Sequence, residues 1–326
     1  MKKNYFMLAA AAMMFAACSE TDLMSEMGEM EKAQEISFES FANKTTRAEI
    51  ADTAALHTNG FKVWGSKTYD NTLTTIFNGV KVYYSNNYWT YDNKKYWDET
   101  ATYDFYAVAP HDGNTSIAAN GMITITNVAS GKSTDSKDYL IDRDGNKGVA
   151  GSKKEVVPFE FNHTMAKLSF KLKAGINDTI TVTSLKMTGW DKALGTFTQQ
   201  LTTTPTTNSH IEWGLATKVD GTATLVGTDA TDTIIVLPSS MTEKAVTDTY
   251  IMVPQTIAAN DLKFTIDFKI GDEVFTAQTG EVTTAQTWGT DTHTTYTITV
   301  APNVINFKVD SVAGWTPTPG GSATID

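Results

Sequence analysis

The chain has 326 residues and a formal charge of −11, with 37 acidic against 26 basic side chains. That balance opposes binding to nucleic acid or to an anionic bilayer surface, and a single cysteine excludes an internal disulfide, leaving stability to core burial. Threonine is the commonest residue, 53 in all, and the 7 Trp, 12 Tyr and 15 Phe spread along the chain exclude a Thr-rich disordered stalk in favour of strands.

At the N-terminus Lys2 and Lys3 precede an uncharged, mostly apolar run from Tyr5 to Ala17. A helix of that length rises about 20 Å, short of the roughly 30 Å hydrocarbon core, so residues 1–17 are expected to form a signal peptide. The run ends Phe15-Ala16-Ala17-Cys18, which resembles the lipobox of bacterial lipoproteins. There the cysteine thiol is alkylated by a lipid and the chain is cut just before it. Cys18 is therefore the lipidation candidate, and the alternative is an ordinary cleavage site with an incidental cysteine. Losing the leader moves the formal charge from −11 to −13. Residues 18–35 carry Glu20, Asp22, Glu26, Glu29, Glu31 and Glu35 against Lys32, the pattern of an acidic tether.

Period-two alternation then predicts strand after strand. Ile36, Phe38 and Ser40 share one face of the first. Phe61-Val63-Gly65, Val80-Val82-Tyr84, Tyr103-Phe105-Ala107-Ala109, Met122 to Ile125 and Val156 to Phe161 follow. A second series opens at Leu168, Phe170 and Leu172, where Gly175 to Asp178 is expected to turn a hairpin into Ile180-Thr181-Val182. It continues through Thr233 to Leu237, Tyr250 to Val253, Leu262 to Ile270 and Tyr296-Ile298-Val300, and ends on Ile305, Phe307 and Val309. The class is all-β, with two β-sandwiches expected over 36–162 and 163–326. Pro317, Pro319, Gly320 and Gly321 close the chain with a segment unfit for a central strand.

Catalytic chemistry is not indicated. Five histidines (His57, His111, His163, His210 and His293) fall at no metal-ligand spacing, and His163 suits a hydrogen-bonded structural role. No nucleophile elbow, phosphate loop or dinucleotide fingerprint occurs, and no cofactor or metal is expected. Asp142-Arg143-Asp144-Gly145-Asn146 has alternating oxygen side chains like a calcium loop, but its glycine and twelfth position are wrong, and a polar hairpin loop fits better. Tyr83-Tyr84, Tyr88-Trp89 with Tyr91, and Tyr96-Trp97 fit either cross-strand pairs or a carbohydrate platform built on Trp89 and Trp97.

Several segments together resemble the fimbrillin-like family of Bacteroidales, pilus subunits made as lipoprotein precursors. They are the lipobox, Glu35 to Glu39, Thr45-Thr46-Arg47-Ala48, Tyr103 to Pro110, Phe161 to Leu168, Tyr250 to Gln255 and Ile305 through Trp315. The resemblance implies two transthyretin-like sandwiches in series and delivery to the outer membrane as a lipoprotein. It also implies a cut after an arginine beyond the first strand, here between Arg47 and Ala48. Loss of Ile36 and Phe38 with the lipid would then leave a groove for a strand from another pilus subunit. The donor is implied in the C-terminal part, with Ile305, Phe307 and Val309. A tip or anchor adhesin that binds a host glycan or protein stays open beside a stalk subunit. Asp52-Thr53-Ala54, Asp178-Thr179-Ile180, Asp232-Thr233-Ile234 and Asp310-Ser311-Val312 resemble the O-glycosylation sequon of the same bacteria.

Overall fold

The computed structural model describes residues 34–42, 56–110, 114–117, 122–142, 146–192, 195–200, 210–215, 220–227, 232–238, 243–302 and 304–314. Their regular secondary structure is almost entirely strand, as the alternation predicts. Two tight turns show how the sequence directs the chain. Asp70-Asn71 joins Phe61–Tyr69 to Thr72–Ser85, and Asn86-Asn87 joins that strand to Tyr88–Thr90. Both pairs adopt positive φ (46° and 58°, then 53° and 67°), the combination whose twist matches the flanking strands and which Asn and Asp tolerate best.

These strands belong to an eight-stranded sheet. Its order from edge to edge is Phe38–Ala42, Val157–His163, Leu140–Asp142, Thr102–Ala109, Phe61–Tyr69, Thr72–Ser85 and Tyr88–Thr90, with Asn146–Ala150 also on Thr102–Ala109. One face encloses a core built on Phe61, Phe77, Phe105, Phe159 and Phe161. The other is covered as well. Trp64, Tyr106 and Val108 pack with Ile123 and Ile125 of a four-stranded sheet, and with Met165, Ile251 and Val253. The second half of Thr102–Ala109 therefore has no solvated face, and from Phe105 to Ala109 every residue is buried.

Beyond Met165, Ala166–Ala174 lies parallel to Thr292–Ala301, which pairs in turn with Val304–Gly314 at the edge of a six-stranded sheet. A five-stranded sheet holds Ile180–Asp191 between Asp220–Val226 and Lys263–Ile270. Leu168, Phe170, Leu172, Tyr296 and Ile298 of the first meet Val182, Leu185, Phe264 and Phe268 of the second in one core. The expected hairpin at Gly175 to Asp178 is corrected by this arrangement. Ala166–Ala174 and Ile180–Asp191 share no ladder, because their apolar faces oppose each other across the core and the turn carries the chain between sheets.

Strands from both sides of residue 163 mix. Gly195–Gln200 pairs with Met122–Val128, and Tyr250–Met252 with Gly131–Lys132. At the crossing point His163 Nδ1 is bonded to Asp138 Oδ2, with the imidazole only 6% exposed, a structural role for that histidine.

The C-terminal core carries one polar chain. Trp288 Nε1 donates to Tyr296 Oη at 2.8 Å, and Tyr296 donates to Gln286 Oε1 at 3.0 Å. Burial pushes the Tyr296 phenol up to about 12, so it stays protonated and keeps donating. Tyr296→Phe is expected to cost about 1–3 kcal/mol by leaving both neighbours unpaired, measured as the shift of a urea unfolding curve.

Candidate functional site

The eight-stranded sheet curls until its ends approach, and the first segment closes the seam. Phe38–Ala42 runs parallel to Val157–His163, from Phe38 opposite Val157 to Ala42 opposite Phe161. Just before it, residues 34–36 bond to the far side of the gap. Ile36 N donates to Lys95 O at 2.8 Å, Trp97 N donates to Gln34 O at 3.0 Å, and Glu35 bridges Tyr96. Lys94 Nζ lies 2.6 Å from Glu35, and Tyr91 Oη donates to Ile36 O at 2.8 Å. Burial pushes the Tyr91 phenol up to about 12, which keeps that donor intact.

Side chains fill the seam. Ile36 is fully buried and Phe38 is 4% exposed. The Phe38 ring lies 5.4 Å from Phe77, 5.5 Å from Phe159, 5.6 Å from Tyr91 and 5.9 Å from Phe105, so one edge strand plants its anchor among four core aromatics. Outside, a groove of about 600 Å³ runs between Ser37 to Glu39 and Tyr84 to Lys94.

The C-terminal candidates sit elsewhere. Ile305, Phe307 and Val309 stand in register with Val300, Ile298 and Tyr296, three fully buried residues, and Val309 packs on the core. Their strand is terminal in its sheet and hydrogen-bonded along one side only. Lys171 Nζ, 2.8 Å from Asp310 and 3.1 Å from Glu243, ties it to Ala166–Ala174. Within one chain the two groups are thus in different sheets. Cys18, Arg47, Ala48 and Thr53 lie outside the described residues, as do the signal peptide and most of the tether. Thr179, Thr233 and Ser311 are exposed.

The aromatic pairs divide. Tyr84 and Trp89 are cross-strand partners, as one sequence reading had it. His57 stacks on Tyr84 at 3.6 Å, and Trp89 packs on Phe61 at 4.8 Å. Trp97 is corrected as a stacking residue for sugars. It is 6% exposed and set edgewise against Tyr103 at 4.8 Å and Phe105 at 5.8 Å, leaving no face for a ligand. Sequence reasoning also missed the role of Tyr91, Lys95 and Trp97 in gripping the first segment. No local pattern announces a contact made across about sixty residues. Asp142 is buried and accepts from Glu160 N at 3.3 Å, while residues 143–145 of the calcium-like loop lie outside the described residues.

His293 stands beside the C-terminal strand, with Nε2 2.7 Å from Ser169 Oγ. Burial first, then the charge of Lys167, pushes its imidazole down to about 4, against about 6.5 in an unfolded chain. The unfolded state therefore takes up the proton first, and stability is expected to fall as pH drops from about 6.5 toward 4. Denaturant midpoints across that range should fall less steeply in His293→Gln; an unchanged slope contradicts this.

Comparison with known proteins agrees with the fold. A family model described as fimbrillin-like matches residues 46–315. A candidate cell adhesion protein of Bacteroides uniformis is 13% identical, with a TM-score of 0.51 over 88% of this chain and 100% of its own. One from Bacteroides ovatus is 14% identical, with the same coverage and TM-score. The tip fimbrial protein Mfa3 of Porphyromonas gingivalis, truncated at its C-terminus, is 10% identical over 79% of this chain and 95% of its own, with a TM-score of 0.38. No curated protein matches. The matched span takes in most of the sequence, including all of the described strands except the first, and on that match the chain belongs to the fimbrillin-like family.

Proposed function

We propose that the chain is a structural subunit of a cell-surface pilus, exported as an outer-membrane lipoprotein on Cys18 and assembled by β-strand exchange. A cut between Arg47 and Ala48 releases the first strand with its lipid, and a strand from another subunit takes its place. One observation carries this reading: a short segment on a sheet edge delivers Ile36 and Phe38 into the core, at 0% and 4% exposure. Removing it opens an apolar seam that has to be refilled, and ladder bonds with alternate side chains are how an extended strand does so. The donor is the C-terminal strand of another copy or of a related subunit, through Ile305, Phe307 and Val309. Two transthyretin-like sandwiches, nominally 36–162 and 163–326 but with Gly195–Gln200 and Tyr250–Met252 paired to strands before residue 163, form the body, and Thr53, Thr179, Thr233 and Ser311 are its glycosylation candidates. The chain is no enzyme and takes its partners among pilus subunits.

A second reading is a non-polymerising surface lipoprotein that binds carbohydrate, or a tip or anchor adhesin. The groove beside Trp89, with Tyr88 55% exposed on its rim, favours it. Intact mass and gel behaviour of surface-extracted protein separate the two. A species starting at Ala48 in an SDS-resistant ladder is expected for the pilus subunit. A single lipidated species starting at Cys18, with no ladder, rules polymerisation out, and glycan-array binding lost in Trp89→Ala would then establish the second reading.

A further inference from the structure

The inward positions of the first segment are Ile36, Phe38 and Ser40, and the third differs in kind from the others. Ser40 stands in register with Phe159, which is fully buried and lies 5.5 Å from Phe38 and 5.7 Å from Phe61. Register partners on adjacent strands point to the same face, so Ser40 is turned toward the core. Its Oγ is closed to solvent and has no hydrogen-bond partner. A hydroxyl in that position gives up hydration and receives nothing in return. At the other end of the segment Trp97 Nε1, in the residue whose amide grips Gln34, is also buried without an acceptor. The segment also docks in parallel, the slightly weaker ladder. Ile36 and Phe38 fit the seam well, and the Ser40 hydroxyl fits it poorly.

We infer that Ser40 occupies an apolar subsite of the seam, the position at which an incoming strand is discriminated from the chain's own. Its intended occupant is the third inward side chain of a strand from another subunit, apolar at three alternate positions. A second copy of this chain offers such a triplet in Ile305, Phe307 and Val309. The inference rests on the strand-exchange reading and gives it a direction. At this one position, replacing a buried unpaired hydroxyl with a methyl-rich side chain favours the incoming strand over the chain's own. The first strand is thereby a placeholder, good enough to close the precursor and poor enough to be displaced.

The test uses the full chain carrying Arg143→Lys, which leaves Arg47 as the one arginine for an arginine-specific protease. After the cut, fluorescent peptides spanning residues 34–42 compete for the seam, with serine, valine or threonine at position 40. Valine and threonine share shape and branching, so their difference isolates the hydroxyl. The Ser40→Val peptide is expected to bind about tenfold more tightly than the Ser40→Thr peptide and to displace the resident strand faster. Equal binding of the two overturns the subsite while leaving strand exchange in place. Uptake of no peptide overturns exchange at this seam. In that case thermal unfolding of the uncut variants decides the subsite: a midpoint for Ser40→Val above that of Ser40→Thr supports it, and one at or below overturns it.

Discussion

Replacing Phe38 with alanine is expected to lower the unfolding free energy by about 3–5 kcal/mol, the range for deleting a buried phenyl ring. Four aromatic rings lie within 6.0 Å of it, and none belongs to a flexible rim that could move in to fill the space. The loss has a ceiling set by the fold itself. Phe38 sits on an edge strand, so once its ring is gone the strand detaches before the sheet unfolds, and the cost cannot exceed the free energy of docking. Two measurements together read this: the urea unfolding curve of the full chain, and hydrogen exchange at Val157, whose amide donates to Ser37 O at 2.9 Å. Fast exchange at Val157 in Phe38→Ala, with slow exchange at Phe170 in the other core, is the expected pattern. A loss under about 1 kcal/mol would mean that the ring does not seal the seam, and strand exchange would lose its driving force.

Substituting Phe307 by aspartate is expected to abolish donation while leaving acceptance intact. A carboxylate at the middle inward position of a donor strand must be desolvated to enter the seam, a penalty on the order of a hundredfold or more in the exchange equilibrium. The variant's own seam, built from Phe77, Tyr91, Phe105 and Phe159, is untouched by the change. In mixtures with wild-type chains it should therefore end filaments rather than poison them. The SDS-resistant ladder should shorten in proportion to the variant added, and pure variant should give no ladder. A full ladder from pure Phe307→Asp would exclude the C-terminal strand as donor. On the proposed reading, donation requires the strand to give up its ladder with Thr292–Ala301 and the Lys171–Asp310 ion pair before it serves another subunit.

Local pattern made much of this legible. The alternation of Ile36, Phe38 and Ser40 identified the inward face of the first strand correctly, because a strand's two faces are decided by parity alone. Likewise Leu168, Phe170 and Leu172 were visible as core residues, and all three are buried. The sequence reading passed over the Asp70-Asn71 turn that doubles Phe61–Tyr69 back on Thr72–Ser85, because it lies in a polar stretch. What alternation cannot say is which strand lies beside which. It suggested a hairpin at Gly175 to Asp178 where the chain crosses between sheets, and it carries no sign that a second sheet covers Tyr106 and Val108.

The sequence by itself determined the all-β class, the inward face of the first strand and the single cysteine, since composition and parity are local properties. Only the tertiary structure decided that the first strand closes a curled sheet, that Trp97 is buried, and that the serine following Phe38 carries an unpaired hydroxyl into the core. Each depends on ladder contacts between residues far apart in the chain, such as Ile36 with Lys95 and Ser40 with Phe159. Register between distant strands is set by the packing of the whole core, and no short stretch of sequence contains it.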